Sequence, residues 1–208
     1  FEVFDVSEPA NVRRLGDFPT SGFMVDVQLA AGLAFVALGD AGLQVLDVRD
    51  PAKPRRVGGL LASSGAEHLA IAGNRAYVIG GGAQVQILDV SDPANLRRIG
   101  RFETVGQPIR MKVLENRAYL ANGSAGLQIY DVTDPAQVRR LGGFLTGAKA
   151  FNVEVVGQVA YVADSGLQIL DVSDPTNIQR LGTFPTSGVA AEVQVVGSRA
   201  FIAGRGLE

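Results

Sequence analysis

Gly166-Leu167-Gln168-Ile169-Leu170-Asp171-Val172-Ser173-Asp174-Pro175 is the stretch that decides how this chain folds. Apolar residues of high β-propensity run into an Asp-Pro turn, which is the signature of a strand and its exit. The closing part, Asp-Val-x-Asp/Glu-Pro, occurs five times, beginning at Asp5, Asp47, Asp89, Asp131 and Asp171. The intervals are 42, 42, 42 and 40 residues. Self-similarity at a fixed period of this length marks a repeat architecture. The short interval has a local cause. Asn122-Gly123-Ser124-Ala125-Gly126 in one copy corresponds to Asp164-Ser165-Gly166 in the next, which removes two residues from a turn.

Working outward from the motif, each copy has four parts. An alternating stretch such as Val153 to Val156 comes first, and Ala160-Tyr161-Val162-Ala163 follows after a short turn. Leu167 to Val172 is the third part, and after the Asp-Pro turn Ile178 to Phe184 is the fourth. No segment holds a helical period over ten or more residues. Four strands per repeat at this period predicts an all-β fold, a β-propeller with four antiparallel strands per blade. With the strands named A to D from the hub outward, the chain opens on a C strand (Phe1 to Val6) and closes on a B strand (Arg199 to Ala203). There are five of each type. One domain spanning 1–208 is therefore expected to have five blades, four at approximately 23–61, 66–102, 108–144 and 149–184. The fifth is shared by 1–18 and 189–204, two strands from each end. Such closure removes the free edges of an open sheet. Phe1-Glu2 and Leu207-Glu208 both match the start of a C strand, so one pair is redundant. Five blades cut from a larger ring fit the strand tally less well.

The repeated Gly-Leu-Gln-Ile-Leu-Asp-Val-Ser-Asp-Pro, with Arg-Ala-Tyr-Val upstream, resembles the LVIVD repeat family over the whole chain. These are propeller-forming repeats of exported or cell-surface bacterial and archaeal proteins. The resemblance implies a propeller located outside the cytoplasm: extracellular, on the cell surface or in the periplasm. The family shares no activity and no binding residues, so it transfers no site. The third blade departs from the pattern, with Gly80-Gly81-Gly82-Ala83-Gln84 in place of the Gly-Leu-Gln approach to strand C.

Composition narrows the functional classes. The 208 residues are 47% apolar, enough for a sizeable core, and carry a net charge of −2, which gives no global attraction to nucleic acid. No apolar run approaches the roughly 20 residues of a membrane helix, so no membrane insertion is expected. The absence of cysteine excludes disulfides, thiolate metal sites and cysteine nucleophiles. No cofactor is expected. A start at Phe1 without a signal-like segment reads as a piece of a larger polypeptide or an engineered repeat protein.

Residues present in every blade serve what every blade does, which is folding. The first Asp of each motif is placed to accept turn N–H groups, and the motif lacks the six or more oxygen ligands of a calcium site. Arg13-Arg14, Arg55-Arg56, Arg97-Arg98 and Arg139-Arg140, with Gln179-Arg180 in the last copy, open strand D. Charges on this outer edge oppose sheet-to-sheet aggregation, and neighbouring acids cancel most of a basic belt.

Function is sought where the blades differ. Aligned on Ala34, Ala76, Ala118, Ala160 and Ala200, the A strands bring Asp26, His68, Arg110, Asn152 and Glu192 into register, all polar and no two alike. Two residues on lie Gln28, Ala70, Lys112, Glu154 and Gln194. The first set is expected to rim the channel mouth on the face that carries the D-to-A and B-to-C loops. There it either binds a ligand or pairs with itself to fill a narrow hub. Metal sites built on the single His68 would need more nitrogen ligands, so none is assigned. The leading expectation is a non-catalytic scaffold binding a protein or glycan partner at the loops Pro19–Val25, Leu61–Glu67, Glu103–Ile109, Leu145–Phe151 and Pro185–Ala191. Phe23 and Phe151 are its candidate exposed anchors. A glycoside hydrolase would use channel-mouth carboxylates such as Asp26 and Glu192. Against that stand the lack of Trp, the short loops and the absence of catalytic motifs. A third reading is a purely structural repeat protein without a ligand.

Overall fold

The computed structural model describes residues 1–61 and 65–206. Leu207 and Glu208, expected to duplicate the start of a C strand, lie outside the described residues. Among the described residues the alternating stretches form twenty strands and no helix. Chain order is sheet order in four sheets of four strands. The first has β3 (Asp26–Ala30), β4 (Leu33–Ala37), β5 (Leu43–Asp47) and β6 (Arg55–Leu60), and the second β7 (His68–Ala72), β8 (Arg75–Ile79), β9 (Gln84–Asp89) and β10 (Arg97–Glu103). The third has β11 (Arg110–Leu114), β12 (Arg117–Ala121), β13 (Leu127–Asp131) and β14 (Arg139–Phe144), and the fourth β15 (Asn152–Val156), β16 (Val159–Ala163), β17 (Gly166–Asp171) and β18 (Gln179–Pro185). The remaining strands form two separate pairs, β1 (Glu2–Asp5) with β2 (Arg13–Asp17) and β19 (Val189–Val196) with β20 (Arg199–Arg205). What was expected as one shared blade is thus present as two half-sheets, a C–D pair and an A–B pair.

The chain divides into two compact units, residues 1–81 with 87–98 and residues 82–86 with 99–208. In the first, Phe35, Val45, Leu69, Val78 and Leu88 are buried together between successive sheets. In the second, Tyr119, Ile129, Val153, Val162 and Leu170 do the same. Both cores are built from the inward positions of the alternation, where burying each large side chain contributes about 1.5–3 kcal/mol.

Two local devices recur in each copy. The motif Asp accepts the amide of the residue two further on, with Oδ1 2.9–3.1 Å from the nitrogens of Ser7, Arg49, Ser91, Thr133 and Ser173. That Asx turn releases the chain from strand C into the Asp-Pro turn. Strand D then carries an extra residue. The pairing skips Leu15, Val57, Leu141 and Leu181, so Arg-x-Gly marks a bulge in these four copies. The glycine after it touches the next copy's turn. A Cβ on Gly58 would stand 1.6 Å from the Pro93 carbonyl oxygen, on Gly100 1.9 Å from that of Pro135, and on Gly142 1.8 Å from that of Pro175. Gly182 has only Ile169 Cδ1, at 3.9 Å.

The half-sheets and their neighbours leave apolar surface uncovered. Val27 on β3 is 41% exposed, whereas its equivalents Leu69, Met111, Val153 and Val193 are at most 5% exposed. Phe201 on β20 is 56% exposed, whereas Phe35, Tyr77 and Tyr119 are at most 4% exposed.

Candidate functional site

The five divergent polar residues occupy one register. Each begins or lies near the start of an A strand and faces the last or near-last residue of its B strand: Asp26 opposite Ala37, His68 opposite Ile79, Arg110 opposite Ala121, Asn152 opposite Ala163 and Glu192 opposite Ala203. In the first unit Asp26 Oδ2 lies 2.5 Å from His68 Nδ1 and accepts the Leu69 amide at 3.0 Å, while Oδ1 accepts the Val27 amide at 2.9 Å. In the second unit Asn152 Nδ2 donates to Glu192 Oε1 at 2.7 Å, and Lys112 Nζ meets Glu154 Oε1 at 2.8 Å. His68 and Asn152 are buried and Arg110 is half-buried. Neighbouring A strands are therefore tied by polar pairs that link one copy to the next.

Electrostatics follows from these contacts. Burial would raise the Asp26 pKa, but the His68 ring and the Leu69 and Val27 amides together hold it below its ordinary value. Asp164, fully buried on the β16–β17 connection, behaves oppositely. Its burial outweighs the donors from Gly166, Gln168 and Thr146 and raises its pKa. No group of three or more His, Asp or Glu side chains suited to a metal occurs among the described residues.

The repeated charges are spent on one another. The Oδ2 atoms of Asp5, Asp47, Asp89 and Asp131 meet Arg13, Arg55, Arg97 and Arg139 at 2.6–3.1 Å. The sequence places these arginines on the outer edge, and the structure adds that the first of each pair reaches back eight residues to the motif Asp. The regular eight-residue offset was the available signal.

The loops that lead into the A strands expose large apolar side chains. Phe23 is 85% exposed, Leu61 83%, Leu145 71% and Val105 52%. Phe151 does not fit the expectation of an exposed anchor. Lys149 Nζ lies 5.3 Å from the centre of its ring, which is half-buried. The part of the Leu61–Glu67 loop at 62–64 lies outside the described residues. A cavity of about 120 Å³ on the first unit is lined by Ser21, Leu38, Leu43, Gln44, Arg56 and Leu60 among others. Its one sequence signal is Leu38, which stands where the third and fourth sheets have Asn122 and Asp164.

The LVIVD repeat matches the chain four times, over residues 21–60, 64–104, 106–146 and 147–186. The chain belongs to the LVIVD repeat family. The second match runs through Gly80-Gly81-Gly82, so this LVIVD repeat accommodates the glycine run without losing its sheet. Three solved structures share the fold. A functionally unknown protein from Desulfotomaculum acetoxidans DSM 771 is similar at a TM-score of 0.79 and 16% identity, over 91% of this chain and 65% of that one. The computationally designed Ika8 protein gives 0.67 and 10%, over 88% and 56%. BamB from Moraxella catarrhalis gives 0.66 and 15%, over 90% and 57%. At these identities the likeness shows the fold alone, a β-propeller-like arrangement of repeated sheets. The LVIVD chain spans less than two thirds of each of these structures. No curated protein matches it in sequence.

Proposed function

We propose that this LVIVD-repeat protein is a non-catalytic, five-bladed β-propeller scaffold that binds a protein or glycan partner outside the cytoplasm, as part of a larger surface or secreted protein. In this reading β19–β20 and β1–β2 complete the fifth blade, in the order A-B-C-D. Two exposures support that closure. The Val27 face of β3 lacks the cover that every equivalent A strand has, and β20 lacks the neighbour that buries Phe35, Tyr77 and Tyr119.

The observation that carries the binding function is the contrast between two sets of residues. Four of the divergent polar side chains of the A strands pair with one another, Asp26 with His68 and Asn152 with Glu192, which in this reading serves the hub. The loops entering those strands present Phe23, Leu61, Val105 and Leu145 to solvent, one or more per copy. Apolar side chains carried on loops of a rigid scaffold are where partners dock. The test replaces Phe23, Leu61 and Leu145 together by Ser. The wild-type domain, immobilised, is expected to retain a defined component of the source organism's extracellular fraction, and the triple variant is expected to lose it at unchanged melting temperature. Retention by both proteins moves the site off this face. Retention by neither leaves the purely structural reading.

A further inference from the structure

The Gln three residues before the motif Asp recurs as Gln44, Gln86, Gln128 and Gln168, and all four are buried. In the β11–β14 sheet its needs are met internally. Gln128 Nε2 donates to the Ala125 carbonyl at 2.6 Å, and its Oε1 accepts from Arg140 Nε at 2.7 Å. The side chain lies over Gly143, where an added Cβ would meet it at 2.6 Å. The β3–β6 sheet has the same residues in a different arrangement. Arg56 Nε donates to the Gly58 carbonyl at 3.2 Å, and Nη2 sits against Gly59, 3.1 Å from where a Cβ would be. Gln44 is only 5% exposed, and its Oε1 has no partner; Gln168 Oε1 is likewise unpartnered, but of the two it is Gln44 that lines the cavity. A buried acceptor left unmade is costly, so this one calls for a donor. Both residues line the cavity of about 120 Å³, together with the Ser21 hydroxyl and the apolar walls of Leu38, Leu43 and Leu60.

These features define a ligand. Arg56 has no carboxylate within ion-pair distance among the described residues, so its guanidinium can receive an anion. Gln44 Oε1 requires a hydroxyl or an amine hydrogen. Among the described residues no acid lines the cavity to balance an ammonium group beside Arg56, which favours a hydroxyl. A cavity of about 150 Å³ holds benzene, so this volume suits about six non-hydrogen atoms. We propose that the Ser21–Gln44–Arg56 cavity binds a small 2-hydroxy carboxylic acid. Its carboxylate lies against Arg56 and its hydroxyl donates to Gln44 Oε1. Arg56 is exposed, so in the free protein water solvates its guanidinium, and the carboxylate would displace that water. The inference stands apart from partner docking at the loops, and its test does not use the loop variants.

The probe is L-lactate, titrated into isotope-labelled protein while the Gln44 side-chain amide resonance is followed. Saturable movement with a dissociation constant of about 1 mM is expected, a strength within reach of so few atoms. Propionate, which lacks the hydroxyl, and L-alanine, which replaces it with ammonium, are expected to bind at least about tenfold more weakly, the factor that one hydrogen bond commands. Arg56→Gln is expected to abolish binding. The proposal is overturned if lactate leaves the Gln44 resonance unmoved, if propionate binds as well as lactate, or if a folded Arg56→Gln binds normally. Should that variant fail to fold, the comparison of the three acids on the wild-type protein decides the question.

Discussion

The contact between each strand-D glycine and the following Asp-Pro turn allows a direct test of how the repeats are joined. In Gly58→Ala the new methyl carbon would lie 1.6 Å from the Pro93 carbonyl oxygen, and contacts under 3.0 Å are essentially never seen. The turn must therefore retreat by about 1.4 Å, and the obstacle is backbone rather than a flexible side-chain tip. Overpacking of this kind costs about 3 kcal/mol, the upper end of the usual range, because the turn is also fixed by its Asx hydrogen bonds. For a chain of this size that lowers the melting temperature by about 6–12 °C. Gly100→Ala and Gly142→Ala meet the same obstacle at 1.9 and 1.8 Å and should behave alike. Gly182→Ala is the informative member of the series. Its Cβ meets only Ile169 at 3.9 Å, and replacing a strand glycine by alanine in open space gains about 0.5–1 kcal/mol. If the fifth blade closes as proposed, the turn at Glu8-Pro9 comes to rest against Gly182, and the substitution becomes as damaging as the other three. The assay is thermal unfolding followed by circular dichroism, with light scattering to give the mass. A drop of about 6 °C or more for Gly182→Ala in a monomer supports closure within one chain. A raised melting temperature refutes closure, and a normal melting temperature for Gly58→Ala refutes the packing argument itself.

Three further outcomes follow from the charged groups. Asp164→Asn should raise the melting temperature at neutral pH. Burial raises the folded-state pKa of Asp164, so its penalty grows as pH rises above the ordinary 3.8, and the gain should shrink as pH falls toward that value. A lower melting temperature at neutral pH would refute this. Asp26→Ala should cost about 1–3 kcal/mol in urea unfolding, because the Leu69 amide and the His68 ring lose their acceptor inside the protein. The Asp26 pKa is depressed in the folded state, so its contribution is present above 3.8 and is lost as pH falls below it. Wild type and variant should therefore converge in acid, and a difference that persists there would show that Asp26 acts by packing alone. Lys112→Met, which breaks a partly exposed pair with Glu154, should change stability by no more than about 1 kcal/mol.

The parts of this molecule legible in the sequence are those that repeat, and the reason is physical. A strand, an Asx turn or a bulge needs only its own few residues, so Asp-Val-x-Asp-Pro and Arg-x-Gly act wherever they occur, and five copies make the pattern unmistakable. The register of Asp26, His68, Arg110, Asn152 and Glu192 was legible for the same reason, because a period of two fixes which position faces which. What those side chains do to one another was not. Whether Asp26 reaches His68 depends on the spacing of two sheets, which no residue within either sheet encodes. Phe151 illustrates the same limit, since it is half-buried and has the ammonium group of Lys149 over its ring. Gln44 shows it most clearly. Gln44 and Gln128 have the same neighbours in sequence, Leu before and an Arg twelve residues after, yet one is satisfied by that Arg and the other is left open over a cavity. Arg140 donates to the glutamine oxygen of its sheet, whereas Arg56 donates to a strand-D carbonyl. A repeat makes such near-equivalent alternatives available in every copy. Gln168 Oε1 is also left without a partner, but Gln44 is the one beside the cavity, so a ligand that supplies Arg56 with an anion and Gln44 with a donor would turn one copy of a repeated framework into a site without altering its motif.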